Sequence, residues 1–163
     1  MPDTKIPMTP RGAQRLKEEL KRRKEVDRYQ IVRAIEEARG HGDLSENADY
    51  SAAKEAQSFN EGRVKELEAM LALANVIDPA KLSGGKVVFG ATVKLSDAET
   101  GEEVVYAIVG EQEADIKKGL LSIGAPVARA LIGRESGDTV QVKTPKGQRE
   151  YEILDVTFRE IDV

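Results

Sequence analysis

The chain has 163 residues, with 25 Lys and Arg, 29 Asp and Glu, one His and no Cys, and its formal net charge is −4. Without Cys there is no disulfide, thiolate nucleophile, Cys-ligated zinc or iron–sulfur cluster, and His41 alone cannot build a His-rich metal site. A metal bound here would therefore be a hard cation on carboxylates, with Mg²⁺ as the first candidate. The negative charge argues against broad nonspecific adhesion to nucleic acid, which requires a basic surface.

No apolar run approaches the roughly 20 residues of a membrane span, and the start of the chain, MPDTKIPMTP, lacks the apolar segment of a signal peptide. We therefore expect a soluble cytoplasmic protein without a membrane partner. Charged residues make up 33% of the chain and aromatic residues 4%. This composition is typical of disorder or of a long solvated helix, and the apolar periodicity favours the helix.

The composition changes near residue 80, because Gly and β-branched residues become frequent only after Pro79. The sequence thus predicts two domains, 1–80 and 81–163. Helix one is expected to begin after the N-cap Thr9, run to about Arg39 and stop at Gly40. Helix two is expected to start near Ser45 or Glu46 and to run to about Asn75.

Both predicted helices carry a narrow apolar or neutral seam. The seam of helix two follows spacings of four and three residues, which is a heptad pattern, at Ala53, Gln57, Asn60, Val64, Leu67, Leu71 and Ala74. The seam of helix one consists of Ala13, Leu16, Leu20, Ile31, Ile35 and Ala38, with polar Arg23 and Asp27 between them. A short connection forces the second helix to return antiparallel, so the pattern predicts a coiled-coil hairpin.

The second half predicts an α+β domain, an antiparallel sheet with one helix against it. The predicted strands are 86–95, 103–110, 138–144 and 148–158, with the last two joined by the turn 145–147. The segment 125–132 predicts a short helix with Pro126 near its first position. The aromatic residues of this half, Phe89, Tyr106, Tyr151 and Phe158, fall at positions expected in the core.

The predicted tip of the hairpin concentrates polar groups. Three carboxylates, Asp43, Glu46 and Asp49, fall within seven residues. A three-residue step would bring Asp43 and Glu46 to one side of the first turn of helix two, where they could hold a Mg²⁺ shared with another protein. The alternative is that the two carboxylates form a capping box at a helix start, and that His41 is an ordinary loop residue.

The tip resembles that of the bacterial Gre transcript cleavage factors, and most closely the GreA type. The tip resemblance covers the residues from Glu37 to Tyr50 and continues through Ala52-Ala53-Lys54-Glu55. Other matching motifs lie along nearly the whole chain: Ile6-Pro7-Met8-Thr9, Gly12, Val76-Ile77-Asp78, Phe89-Gly90-Ala91-Thr92-Val93, Ile108-Val109-Gly110, Glu113-Ala114-Asp115 and Leu131-Ile132-Gly133.

The resemblance implies an FKBP-like C-terminal domain that binds RNA polymerase and a hairpin that enters the polymerase secondary channel. There the tip would stimulate the polymerase's own Mg²⁺-dependent cleavage of backtracked RNA, so the chain itself is expected not to be an enzyme. Asp43 and Glu46 match the acidic pair that shares the Mg²⁺ with the polymerase. No cofactor is expected on the free protein, which we expect to be a monomer.

Other tip residues match the family motif. Arg39 and Lys54 match basic positions thought to meet the RNA 3′ end, although both could be ordinary exposed helix charges. The last sites that the resemblance implies are tip contacts, with capping or packing as the alternative, at Ser45, Asn47 and Tyr50. Residues 1–80 carry 14 basic and 15 acidic side chains, a balance of −1 that favours the GreA type.

The sequence is compatible with two other functions. One is an anti-Gre inhibitor of the same fold, which would occupy the secondary channel without promoting cleavage; the Asp43 and Glu46 pattern argues against it. The other is an FKBP-like prolyl isomerase, for which the sequence resolves no aromatic proline-binding pocket.

Overall fold

The computed structural model describes residues 4–43 and 47–163. The chain forms two compact units, Gln14–Leu73 on the one hand, and on the other the residues up to Ala13 together with Ala74–Val163. The domain boundary near residue 80 was predicted from sequence composition, and it stays a prediction. No described helix is long and apolar enough to cross a membrane.

The first unit is an antiparallel pair of helical arms. Its helices are α1 (Pro10–Arg22), α2 (Arg28–Arg39) and α3 (Ala48–Ala72), and a π-helical turn, Arg23–Asp27, joins α1 to α2. The single continuous helix expected from Thr9 to Arg39 is confirmed over residues 10–39, with a π-helical turn in place of α-helix at residues 23–27. Helix two is shorter than expected, because Asn47 caps its start and the chain beyond Leu73 becomes a strand.

The predicted seams are largely confirmed. On the first arm Leu16, Ile35 and Ala38 are buried, and Leu20 and Ile31 are half-buried. On α3 the residues that are less than a tenth exposed are Ala53, Asn60, Val64, Leu67 and Met70. Gln57 and Leu71 are half-buried, whereas Met70 lay outside the predicted seam. The hairpin therefore buries a narrow stripe instead of a broad core.

The second unit contains a small parallel pair and a five-stranded sheet. The parallel pair joins β1 (Ile6–Met8) to β2 (Ala74–Val76), with Ile6 opposite Ala74. The large sheet has the order β5-β4-β3-β7-β6. Its strands are β3 (Ala91–Asp97), β4 (Glu103–Val109), β5 (Leu120–Ser122), β6 (Thr139–Thr144) and β7 (Gly147–Phe158).

The α+β class is confirmed, but the sheet is mixed and not wholly antiparallel. Strand β5 runs parallel to β4, with Ala107 opposite Leu120, because residues 110–119 carry the chain back along the sheet before β5 starts. A strand of three residues is too short to show an alternating pattern, which is why β5 was missed. The first predicted strand also starts five residues later than expected, because Gly90 adopts a positive φ of 89° immediately before β3.

The core of the sheet lies on one face, under the short helix α4 (Pro126–Leu131). Its fully buried members are Val87, Ala91, Val93, Leu95, Ile108, Ala128, Leu131 and Ile153. Of the four aromatic residues predicted to be in the core, Phe89 is buried, and Tyr106, Tyr151 and Phe158 pack half-buried against this cluster. Burial raises the pKa of the Tyr106 phenol, as expected for an ionisable group held against aliphatic side chains.

Candidate functional site: the tip of the hairpin

The connection between α2 and α3 is short and opens with glycine. Helix α2 ends at Arg39, where the amide of Gly40 still donates to the carbonyl of Glu37 at 3.1 Å. Gly42 has a φ of 107°, a left-handed conformation that glycine adopts without steric cost. Asp43 follows it and is exposed. The described part of the connection therefore holds Asp43 at the end of the hairpin.

Asn47 ties the two helices together at this end. Its Oδ1 accepts the amide of Tyr50 at 3.0 Å, so Asn47 is the N-cap of α3. Its Nδ2 donates to the carbonyl of Ala38 at 2.6 Å, near the end of α2. One side chain thus starts the returning helix and holds it against the outgoing one, which gives this predicted tip residue a structural role.

The position of the cap corrects the geometry expected for the acidic pair. Because α3 begins at Ala48, Asp43 lies five residues before it and not in its first turn. The capping-box interpretation of Asp43 and Glu46 does not apply to α3 either, since Asn47 provides the cap. Asp43 has an interaction of its own in the structure. Ser45 and Glu46 lie outside the described residues.

The remaining predicted tip residues lie on the ends of the two helices. Arg39 is the last residue of α2 and is exposed, and Lys54 is exposed on α3 with its Nζ 3.1 Å from Gln57 Oε1. Tyr50 is half-buried in the first turn of α3. His41 Nδ1 lies 3.8 Å from Asp49 Oδ2, and both side chains are largely exposed. No described contact makes His41 the base of a catalytic group.

The middle of the hairpin contains a polar network that the sequence pattern did not reveal. Glu19 accepts hydrogen bonds from Arg63 Nε at 3.0 Å and from Arg23 Nε at 2.8 Å. The bond from Arg63, followed by that from Arg23, outweighs burial and lowers the pKa of Glu19 to about 2. Arg23 also donates to Asn60 Oδ1 at 3.1 Å. The polar seam residues Arg23 and Asn60 are the sequence signal for this network, since seam positions on the two arms meet in an antiparallel hairpin.

A second cluster joins sequence motifs from two parts of the chain that are about a hundred residues apart. Both carboxylate oxygens of Glu113 lie 3.1 Å from the amide of Thr9, and the Thr9 hydroxyl donates to Oε2. The same carboxylate accepts the amide of Gly110 at 2.9 Å, while the Thr9 hydroxyl caps α1 by accepting the amide of Gly12 at 3.0 Å. A β-carbon on Gly12 would overlap this carboxylate. Four of the matching motifs, those that contain Thr9, Gly12, Gly110 and Glu113, therefore form one structural site.

The metal-binding capacity of the described residues is limited. Within residues 4–43 and 47–163, no group of three or more His, Cys, Asp or Glu side chains is placed to hold a metal ion. The predicted pair of Mg²⁺ ligands depends on Asp43 and on Glu46, of which only Asp43 is described. Their assignment as ligands stays a prediction.

The chain thus combines a two-helix hairpin with a sheet domain, and comparison with known proteins assigns its class. The family described as "Transcription elongation factor, N-terminal" matches residues 6–76. The family described as "Transcription elongation factor, GreA/GreB, C-term" matches residues 82–158. The chain therefore belongs to the GreA/GreB family of transcription elongation factors.

Curated relatives agree over nearly the full chain. Transcription elongation factor GreA of Magnetococcus marinus is 58% identical over 154 residues, which cover 94% of this chain and 98% of the relative. Transcription elongation factor GreA of Alkalilimnicola ehrlichii is 59% identical over 156 residues, which cover 95% and 99%. These relatives confirm the predicted function as a transcription elongation factor and do not favour the inhibitor alternative.

The chain is also similar to solved structures of related proteins. GreA factor homolog 1 of Thermus thermophilus is 27% identical, with a TM-score of 0.43 and coverage of 93% of this chain and 98% of that one. The GreA/GreB factor from Nitrosomonas europaea is 26% identical, with a TM-score of 0.42 and coverage of 96% and 100%.

Proposed function

We propose that this elongation factor binds RNA polymerase, enters its secondary channel with the tip of the hairpin, and stimulates hydrolysis of backtracked RNA. The polymerase active site performs the reaction, and the factor supplies Asp43 and Glu46. Cleavage produces a new RNA 3′ end in the active centre, so an arrested complex can resume synthesis.

The observation that carries this proposal is the placement of Asp43. It is exposed in the connection at the end of the hairpin, in a position where Asn47, and not Asp43, caps the returning helix. The exposed Asp43 carboxylate therefore lies where a second protein can approach it. The family membership supports the same conclusion, because it covers both the hairpin and the sheet domain.

The donor chemistry of the tip fits Mg²⁺. Carboxylate oxygens are the ligands this ion prefers, and it commonly takes one or two from a protein and completes its coordination with other groups. Asp43 and Glu46 would hold it together with ligands from the polymerase. When bound, the ion supplies Lewis-acid activation of water in a two-metal hydrolysis.

The other tip residues have supporting roles in this proposal. Asn47 keeps the two helix ends together, so Asp43 approaches the polymerase on a connection anchored at both ends. Arg39 and Lys54 would attract the RNA phosphates, since both are exposed beside the connection. Tyr50, half-buried in the first turn of α3, would help to hold this end in shape.

The proposal is tested in stalled elongation complexes with Asp43→Asn and Glu46→Gln, which keep side-chain size and remove the charge. We expect each variant to lower the maximal rate of stimulated cleavage by about 100-fold, as loss of a metal ligand should. Asp49→Asn is the matched control, because Asp49 is an exposed carboxylate in the first turn of α3. Equal cleavage by all three variants would overturn the assignment.

Two further measurements separate binding from catalysis. Asp43→Asn should still compete with the unaltered factor for the polymerase, since the substitution leaves the sheet domain unchanged. A polymerase that lacks its own active-site carboxylates should not cleave RNA even with saturating factor. Cleavage by that complex, or by the isolated factor with Mg²⁺, would place the catalyst in the factor itself.

A further inference from the structure

The seam of the first helical arm shifts by one residue halfway along the hairpin. From Leu16 the seam alternates by four and three residues through Leu20, Arg23 and Asp27. Strict continuation of this heptad would next place Gln30, Ala34 and Glu37 on the seam, and all three are exposed. The residues that turn inward follow one position later, at Ile31, Ile35 and Ala38.

The π-helical turn lies where this shift occurs. It covers Arg23–Asp27, and the amide of Arg28 donates to the carbonyl of Arg23, five residues earlier. A π-turn accommodates an extra residue within an otherwise α-helical arm. Helix α3 keeps an uninterrupted spacing of four and three residues opposite it, so one arm contains a residue that its partner does not match.

Asn60 holds the π-turn from the opposite arm. Its side chain is 2% exposed, and its Nδ2 donates to the carbonyl of Arg23 at 3.1 Å. Its Oδ1 accepts from the Arg23 guanidinium at 3.1 Å. The carbonyl that closes the π-turn and the side chain of the same residue are thus both bound by one buried amide.

We propose that Asn60 is a positioning residue that pins the extra residue of the first arm at Arg23–Asp27. This sets the rotation and the axial position of α2, which ends at the tip. The consequence for RNA cleavage rests on the proposed function, whereas the pinning itself is a property of the free hairpin. A buried Asn at a seam position is a recognised device for fixing the alignment of paired helices.

The cost of losing this pin follows from helix geometry. If the extra residue moved to another turn, the helix between the two places would rotate by about 100° and shift by about 1.5 Å. Ile35 and Ala38 would leave the seam if the extra residue moved toward the tip beyond them. Misplacement of a catalytic group by about 1 Å can lower a rate by about 100-fold.

The first test measures the free protein. The chain has no Cys, so spin labels can be attached at introduced cysteines only. One labelled pair, Ala34→Cys with Ala56→Cys, reports the tip side of the π-turn, and a second, Lys17→Cys with Ala69→Cys, reports the other side. We expect Asn60→Leu to broaden or shift the tip-side distance distribution and to leave the second unchanged.

A second variant protects this test against simple misfolding. Asn60→Asp keeps an acceptor for the Arg23 guanidinium and loses the donor to the Arg23 carbonyl, so the bond to the backbone of the π-turn is lost. It should broaden the same tip-side distribution. An unchanged tip-side distribution in both Asn60 variants would overturn the proposal.

Deletion of Glu25, an exposed residue of the π-turn, provides the decisive comparison. It removes the extra residue, so the seam from Leu16 to Ala38 becomes compatible with an uninterrupted α-helix. In this background Asn60→Leu should no longer alter the tip-side distance. In the full-length sequence the same substitution should lower the maximal cleavage rate by about 10- to 100-fold without changing the factor concentration needed for half-maximal effect. If Asn60→Leu altered the tip-side distance equally with and without Glu25, Asn60 would not act through the π-turn.

Discussion

The interior of the sheet domain is aliphatic, whereas the middle of the hairpin buries an amide among charged side chains. Leu95, Ile108 and Ile153 are at most 1% exposed and belong to one cluster of buried apolar side chains. In the hairpin, Asn60 is 2% exposed and is held by Arg23, which in turn binds Glu19. The two regions therefore obtain order by different means, one from apolar volume and the other from matched polar partners.

This difference indicates what each region is built to do. An aliphatic core tolerates small shifts between side chains, because dispersion contacts have little directional preference. Hydrogen bonds from a buried amide are directional, and leaving either partner unpaired is costly. The polar interior of the hairpin thus contributes less to stability than an aliphatic one would, but it defines the alignment of the two helices.

The largest expected effect compares two fully buried leucines. Leu95→Ala in the sheet domain should lower the free energy of unfolding by about 3–5 kcal/mol, because it leaves a cavity enclosed on all sides. Leu67→Ala in the hairpin should cost about 2–3 kcal/mol, since a narrow seam can collapse around the gap. Urea unfolding followed by circular dichroism measures both. A larger loss for Leu67→Ala would contradict the comparison.

The next effect concerns the polar cluster around Glu113 in the second unit. Glu113→Gln should lower stability by about 2 kcal/mol, because the carboxylate accepts the amides of Thr9 and Gly110 and the Thr9 hydroxyl. Glu111→Gln is the matched control on the same short turn, where the side chain is exposed. Thermal unfolding compares the two, and equal losses would show that the cluster contributes nothing beyond general charge.

Sequence patterns predicted the elements with strong periodicity and missed those that depend on distant partners. The two arms, the cap at Thr9 and the hairpin of β6 and β7 follow from local chemistry. The parallel pair of β1 with β2 and the binding of Thr9 by Glu113 link residues that lie far apart along the chain, so no local pattern shows them. The acidic residues of the tip were singled out by their spacing and then matched by the resemblance, while the cap at Asn47 required the structure.

A smaller effect depends on pH and tests the polar middle of the hairpin. The folded-state pKa of Glu19 is about 2, below the ordinary value of 4.5, so its stabilisation is complete above about pH 5. It is lost as the pH falls from 4.5 towards 2. After allowance for solvent screening, we expect Glu19→Gln to cost about 1–2 kcal/mol at pH 7.

The control for Glu19 is Glu36→Gln, at an exposed carboxylate on α2. The difference in stability between the unaltered protein and Glu19→Gln should shrink as the pH is lowered through this range. Urea unfolding at several pH values measures the difference. A constant difference from pH 7 to pH 3 would show that the ion pairs with Arg63 and Arg23 do not stabilise the hairpin.

The smallest expected effect is local to the tip. Asn47→Ala should cost about 1 kcal/mol, because it removes the N-cap of α3. Asn47→Asp keeps an acceptor for the amide of Tyr50 but loses the donor to the carbonyl of Ala38, so it separates capping from the link between the helices. Hydrogen exchange at the Tyr50 amide should accelerate in Asn47→Ala and much less in Asn47→Asp. If both variants also lower stimulated cleavage equally, the link to Ala38 matters more for function than the cap, because that link is the bond both variants lack.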